Sequence, residues 1–249
     1  MKTGKKRLDV LVVERGLAES RQKAQAMILA GEVRVNGMRV DKAGTLFAPE
    51  VRIEASSAAL KYASRAGMKL EGALEDFTIS VSGKVCLDIG ASTGGFTDCL
   101  LAHGAKIVYA VDVRPEQLAW RLQQDPRVKQ IKANARYLRL EQIAEPVELV
   151  TVDVSFISVA KILPAVVAAA GPGAESLILV KPQFELDRQD IGKGGIVRDA
   201  ALHHRAVQRV RAAAEAAALR VEGVQASRLT GADGNQEFFL FARKTAGPA

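Results

Sequence analysis

Two apolar runs in this sequence finish in charge. Leu149-Val150-Thr151-Val152 leads into Asp153, and Leu177-Ile178-Leu179-Val180 leads into Lys181, followed by Pro182. Read as buried strands, these runs put an acid and a base at strand tips. The C-terminal edge of a parallel sheet is where ligands and chemistry collect. A lysine closing a buried strand is costly unless paired. Two further charges stand at similar boundaries. Lys69 follows the polar turn Ser64-Arg65-Ala66-Gly67-Met68, and Glu237 opens the last apolar run. Lysines and carboxylates held together can move a proton or stabilise a developing negative charge. Taken one at a time, the plainer account is a structural ion pair for Asp153 and Lys181, and surface charge for Lys69 and Glu237.

A second constellation is the turn after the first such strand, Val85-Cys86-Leu87-Asp88-Ile89-Gly90-Ala91-Ser92-Thr93-Gly94-Gly95-Phe96. Glycines there let backbone approach a ligand closely, and the following helix start offers free N–H groups. The spacing is Gly-x-x-x-Gly, not the Gly-x-Gly-x-x-Gly of dinucleotide binders. Asp88 before the turn suits a cationic ligand better than a pyrophosphate. About twenty residues on, Val108-Tyr109-Ala110-Val111-Asp112 ends in an acid placed to accept from ribose hydroxyls. The two acids together point to S-adenosylmethionine rather than NAD. Its contacts are expected from Asp88, Gly90, Ala91, Ser92, Thr93, Gly94, Gly95, Phe96 and Asp112. The plain alternative is a tight strand-to-helix turn with Asp112 as a helix cap.

The elements that must hold these residues alternate. Strands are expected over 84–89, 106–113, 147–154 and 176–180, with helices over 94–103, 115–124, 159–170 and 199–219. Strands over 221–229 and 237–242 close the chain. That rhythm predicts an α/β fold with a doubly wound, mostly parallel sheet whose last two strands pair antiparallel. Before residue 69 the pattern differs. Helices are expected over 7–15 and 21–30, ended by Gly16 and Gly31, with Ser20 as an N-cap. Strands over 33–35 and 38–40 flank an Asn36-Gly37 hairpin, and 51–53 is one more strand. Ser56–Ala59 reads as a linker.

Composition sets the class. The chain has 249 residues, 48% hydrophobic and 25% charged, so it can bury a sizeable core and is not disordered. Its two cysteines, Cys86 and Cys99, exclude a disulfide scaffold and a four-cysteine zinc site. Apolar runs fall short of the roughly 20 residues that span a bilayer. A reduced, cytoplasmic protein without a membrane segment is expected. The net charge of +7 is uneven. Residues 1–65 hold 13 Lys and Arg against 7 Asp and Glu, whereas the rest holds 22 against 21. A basic module beside a neutral one fits docking on a polyanion, or else a basic face kept for solubility.

These motifs resemble the TlyA family of ribosomal RNA 2'-O-methyltransferases, also labelled hemolysin A. The likeness is carried by Ser64-Arg65-Ala66-Gly67-Met68-Lys69-Leu70, Leu87–Thr97, Asp153-Val154-Ser155-Phe156-Ile157-Ser158, Val180-Lys181-Pro182-Gln183-Phe184-Glu185 and Gly234-Asn235-Gln236-Glu237-Phe238-Phe239. The resemblance implies an S4-type RNA-binding domain over 1–59, a linker over 60–64 and an FtsJ/RrmJ-like domain over 65–249. The second domain would be a class I, Rossmann-like methyltransferase with a seven-stranded sheet. The resemblance also implies a catalytic tetrad of Lys69, Asp153, Lys181 and Glu237, with S-adenosylmethionine as cofactor and no metal. The family's interdomain tetrapeptide usually carries tryptophan; the matching stretch here is Leu60-Lys61-Tyr62-Ala63.

The implied reaction is methylation of a ribose 2'-hydroxyl, with a cytidine of large-subunit RNA as the expected target and the small subunit as a further one. Lys181 is the expected centre, as an ammonium that stabilises the developing alkoxide or as a neutral amine that takes the proton, oriented and tuned by Asp153 and Glu237, with Lys69 adding positive potential. Arg7, Arg21, Lys23 and Arg34 are the expected phosphate contacts, and ribosomal RNA or a ribosomal subunit the expected partner. Phe156 is either a base-stacking wall or core. Two rivals follow from the same sequence: a non-catalytic RNA-binding assembly factor, and a pore-forming protein. The second is disfavoured by the lack of a spanning segment or a basic amphipathic helix with aromatic anchors.

Overall fold

The computed structural model describes residues 4–245 except 19, 56–60, 139 and 232. It divides into two compact units, Met1–Leu60 and Lys61–Ala249. The expected linker Ser56–Ala59 lies outside the described residues, as does Leu60 of the tetrapeptide.

The first unit runs β1 (Lys6–Arg7), α1 (Leu8–Glu14), α2 (Arg21–Leu29), β2 (Val33–Val35), β3 (Met38–Arg39), β4 (Leu46–Phe47) and β5 (Ile53–Ala55). Ser20 caps α2 by accepting from the Lys23 N–H. Asn36 and Gly37 both have positive φ, as a two-residue hairpin between right-twisted strands requires. β2 pairs antiparallel with β3 on one side and β5 on the other. Leu8, Val12, Ala24, Ile28, Val33 and Val35 form the core. The pairing of β1 with β4 is not expected from the sequence, because two-residue strands carry no periodicity.

The second unit begins with α3 (Arg65–Asp76). It continues through β6 (Val85–Ile89), α4 (Gly95–Ala102), β7 (Ile107–Asp112), α5 (Trp120–Gln123), β8 (Val128–Lys132), β9 (Val147–Val152), α6 (Leu163–Ala169), β10 (Ala170–Val180), α7 (Pro182–Glu185), α8 (Ala200–Ala216), β11 (Leu219–Ala226) and β12 (Phe238–Lys244). One seven-stranded sheet results, in the order β11-β12-β10-β9-β6-β7-β8. β12 lies antiparallel between β10 and β11; the other described neighbour pairs are parallel. Alternation along the strands feeds two apolar layers. Leu87, Ile89, Val150 and Val152 enter the layer with Val166 and Val210 of α6 and α8. Cys86, Leu149 and Leu177 enter the layer with Leu70 and Leu100 of α3 and α4. Among the described residues no helix is long and apolar enough to cross a membrane.

Three local expectations are corrected. The helix expected over 115–124 breaks into a 3-10 turn at Pro115–Gln117 and the short α5, because Leu118 and Ala119 are extended. The leucine that breaks it is buried against the glycine-rich turn, since a Cβ on Gly94 would meet Leu118 and Leu122. β8 is missing from the sequence reading because Val128-Lys129-Gln130-Ile131-Lys132 is a polar edge strand without strict alternation. β10 starts at Ala170, across Gly171-Pro172-Gly173, with an irregular register before Glu175.

Candidate active site

The sheet brings the tips of β6, β7, β9 and β10 to one edge, and β12, running the other way, starts there. β6 hands over to Gly90, whose φ is +87°. A Cβ on Gly90 would run into the carbonyl oxygen of Asp153 just past β9, so glycine is dictated by crowding as well as by φ. Gly90 and Ala91 both donate to the Val111 carbonyl, which locks the turn onto β7. Gly95 packs against the N-terminus of α3, where a Cβ would meet Ser64 and Ala66. Ser64 caps α3, accepting from the Ala66 N–H at 3.3 Å.

A cavity of about 470 Å³ opens beside this turn, walled by Gly90, Ser92, Asp112, Asp153, Ser155 and Phe156 among others. That size holds a small organic ligand. A smaller one of about 110 Å³ shares Gly90, Ser92 and Asp153 and adds Ser64, Ala66, Ala91, Thr93, Gly95 and Phe96. Asp112 accepts from the Ser92 N–H and the Arg114 N–H, each at 2.9 Å, so its carboxylate is already aimed into the turn. The wall thus offers carboxylates and small residues. That set fits a ligand with hydroxyls and a cationic centre better than a phosphate.

Asp88 is placed otherwise. It is fully buried beneath the turn and lines neither cavity. It accepts from Thr97 Oγ1 at 2.7 Å and Thr151 Oγ1 at 3.1 Å, tying β6 to α4 and β9. Burial pushes its carboxyl up to about 7 against those stabilising bonds. Gly94 likewise lies outside both cavity walls, as the left-handed N-cap of α4. Phe96 is buried and stacks on Phe239 with ring centroids 6.1 Å apart.

The four charges form two ion pairs. Lys181 Nζ lies 2.5 Å from Asp153 Oδ1 and donates to Ser155 Oγ at 2.9 Å. Lys69 Nζ, on α3, donates to Glu237 Oε2 at 2.6 Å. Lys69, Lys181 and Glu237 are buried and Asp153 nearly so. Val180 faces Phe238 across β10 and β12, so the next step of that register sets Lys181 opposite Glu237. Neighbouring strand tips stand about 5 Å apart. Two opposite-charge pairs therefore share one edge of the sheet, with Asp153 on the cavity wall.

The segment 153–159 is clamped from 181–185. Besides the Lys181 contacts, buried Glu185 accepts from Ser158 Oγ at 2.6 Å and from the Val159 N–H at 2.8 Å. The Phe184 ring meets Phe156 at 5.3 Å. Phe156 is 91% exposed and has φ of +66°, a strained state for a non-glycine residue. It is therefore not core. Ser155 and Glu185 escaped the sequence reading, though both lie inside its motifs. Polar residues one or two places from a strand tip are the signal that points to them. Gly231 escaped it too; a Cβ there would collide with the Glu237 carboxylate.

The expected phosphate contacts lie in the first unit. Arg7 and Arg21 bond Asp9, Arg34 donates to the Gly37 carbonyl at 3.2 Å, and Lys23 is exposed in the first turn of α2. In the tetrapeptide, Tyr62 is buried and its hydroxyl donates to Glu71 at 2.9 Å.

Comparison with known proteins gives two families. Residues 62–244 match the FtsJ-like methyltransferases and residues 6–53 the S4 domain. The chain is 46% identical over 239 residues to the 16S/23S rRNA (cytidine-2'-O)-methyltransferase TlyA of Mycobacterium tuberculosis, covering 95% of this chain and 89% of that one. It is 50% identical over 195 residues to Hemolysin A of Brachyspira hyodysenteriae, covering 78% and 81%. A solved structure titled "Putative hemolysin from Streptococcus thermophilus" superposes with a TM-score of 0.76 at 42% identity, covering 99% of this chain and 90% of that one. With its seven-stranded sheet, paired charges at one sheet edge and matched length, the chain belongs to the FtsJ-like methyltransferase family and carries an S4 domain at its N-terminus.

Proposed function

We propose that this protein methylates the 2'-hydroxyl of a cytidine ribose in ribosomal RNA, using S-adenosylmethionine. The observation that carries the reading is the Lys181–Asp153 pair, whose Asp153 stands on the wall of the cavity beside the glycine-rich turn. S-adenosylmethionine, when bound, supplies an electrophilic methyl group. Gly90, Ala91, Ser92, Thr93, Gly95 and Phe96 would cradle it, Asp112 would take ribose hydroxyls, and Asp88 and Gly94 would hold the turn from beneath.

A ribose hydroxyl is a weak nucleophile at neutral pH. Lys181, fixed by Asp153 and Ser155, would stabilise the sugar oxygen as an ammonium while the hydroxyl proton leaves to water, or take that proton itself as a neutral amine. Asp153 and Glu237 hold the two lysines aimed, and Lys69 adds potential beside Glu237. Phe156 walls in the target base. The clamp by Glu185 holds these groups in line, which supplies part of the acceleration. The S4 domain, with residues 1–59 as its extent and 60–64 as the junction to 65–249, grips RNA phosphates through Arg7, Arg21, Lys23 and Arg34. The protein acts in the cytoplasm, where ribosomal RNA is found.

The test is to map 2'-O-methyl positions in ribosomal RNA of both subunits with and without the protein, and with Lys181→Ala. A cytidine mark that appears with the wild type and vanishes with the variant is expected. Equal marks with wild type and variant reject the role of Lys181, and no mark with the wild type rejects the activity.

A further inference from the structure

Asp9 sits in the first turn of α1 and is wholly buried, yet it is ringed by cationic side chains that are not. Its Oδ1 accepts from Arg7 Nε at 3.0 Å. Its Oδ2 accepts from Arg7 Nη2 at 3.0 Å, Arg21 Nη2 at 3.2 Å and Gln25 Nε2 at 2.7 Å. The Arg7 and Arg21 side chains remain 46% and 57% exposed. One carboxylate thus gathers a guanidinium from β1, a guanidinium from the start of α2 and an amide one helical turn later.

The backbone beneath is fixed as well. Arg7 pairs with Leu46 across β1 and β4, and its guanidinium lies over Gly44, where a Cβ would stand 3.1 Å from Nη1. Arg21 follows the Ser20 cap of α2. The bond from Arg7 holds the Asp9 carboxyl well below the usual carboxylate range, so the anchor stays charged. The arginine guanidinium has two forked donor edges, Nε–Nη2 and Nη1–Nη2. Arg7 spends its Nε–Nη2 edge on Asp9, which turns the Nη1–Nη2 fork away from the carboxylate. That fork matches two oxygens of a phosphate.

We propose that Asp9 is a positioning residue that holds Arg7 and Arg21 as a pre-oriented pair of forks for successive backbone phosphates of folded RNA. The proposal rests on the RNA-binding reading above. It makes a prediction opposite in sign to simple charge counting. If charge alone set affinity, Asp9 would be a handicap, cancelling one of two arginines, and its removal would tighten binding to a polyanion. If orientation sets affinity, removal weakens binding although the module gains a positive charge.

The experiment measures the affinity of the full chain for transcribed large-subunit ribosomal RNA across a salt series. Asp9→Asn is expected to bind about tenfold more weakly, with a log–log salt slope smaller by about one. Equal or tighter binding overturns the proposal. Arg7→Lys and Arg21→Lys keep the net charge and lose the fork, and Arg7→Lys also loses the paired bonds to Asp9. Each is expected to weaken binding about fivefold, and unchanged affinity in both overturns the proposal. If Asp9→Asn does not fold, as its circular dichroism would show, these two variants decide. A wild-type chain with no salt-dependent affinity removes the RNA reading itself and this inference with it. Wild-type binding with unaltered variants removes only the inference.

Discussion

The amine of Lys181 stands 2.5 Å from Oδ1 of Asp153, joining the tips of β10 and β9 where Asp153 walls the cavity of about 470 Å³ beside the glycine-rich turn. Removing one partner of such a pair strands the other charge in a poorly solvated place. Lys181→Ala is expected to lower single-turnover methyl transfer to ribosomal RNA by about a hundredfold or more. Cofactor affinity, read by calorimetry, should change little, because the turn and Asp112 are untouched. Methyl transfer that persists at the wild-type rate would remove Lys181 from the chemistry.

Gly90 and Gly83 make a matched pair for testing the turn. Both have positive φ, +87° and +75°, but a Cβ on Gly83 meets nothing within 4 Å while one on Gly90 meets the Asp153 backbone. Gly83→Ala should cost only the backbone strain, about 1 kcal/mol. Gly90→Ala should cost about 2–4 kcal/mol and abolish cofactor binding, since either β9 or the turn must move. Urea unfolding of both variants, with calorimetry of cofactor binding, separates strain from crowding. Equal costs would show that Asp153 yields freely.

The sheet and its charged tips were legible because parallel strands are buried on both faces and read as unbroken apolar runs. Leu177–Val180 could be little else, and the charge after it could only be a tip. What stayed hidden was local polarity. Nothing in its spacing told Asp88 from Asp112, yet Asp88 turns inward to Thr97 and Thr151 while Asp112 faces the cavity. The difference is which way a side chain leaves the strand end, and that depends on hydroxyls contributed by α4 and β9. The Asp9 anchor escaped for the same reason. Its partners come from β1 and α2, and only folding brings Gln25 to it. Polar edge strands such as β8 have too little periodicity to read.

Phe156 should be separable from stability altogether. A ring that is 91% exposed buries little, and its positive φ favours replacement by glycine. Phe156→Gly is expected to leave the thermal midpoint unchanged or raise it, by releasing strain of about 1 kcal/mol. The same variant should lower RNA methylation by about tenfold, in keeping with about 1–3 kcal/mol for one stacked base. A drop in both midpoint and activity would return Phe156 to a packing role.

Asp88 gives the protein a pH dependence whose sign is fixed. Burial raises its carboxyl from 3.8 to about 7 in the folded state, so the folded protein holds the proton more tightly than the unfolded chain does. Stability from this group is complete below about pH 4, falls as pH rises through the interval up to about 7, and is level above it. With 1.36 kcal/mol per pKa unit, the full fall is about 4 kcal/mol. Asp88→Asn removes the titration while its amide can still meet Thr97 and Thr151, whose hydroxyls turn to donate or accept. Urea midpoints at pH 5, 6 and 8 should therefore show the wild type losing ground to the variant as pH rises. Parallel curves for the two proteins would mean that Asp88 ionises at no cost, and that Thr97 and Thr151 solvate it as well as water does.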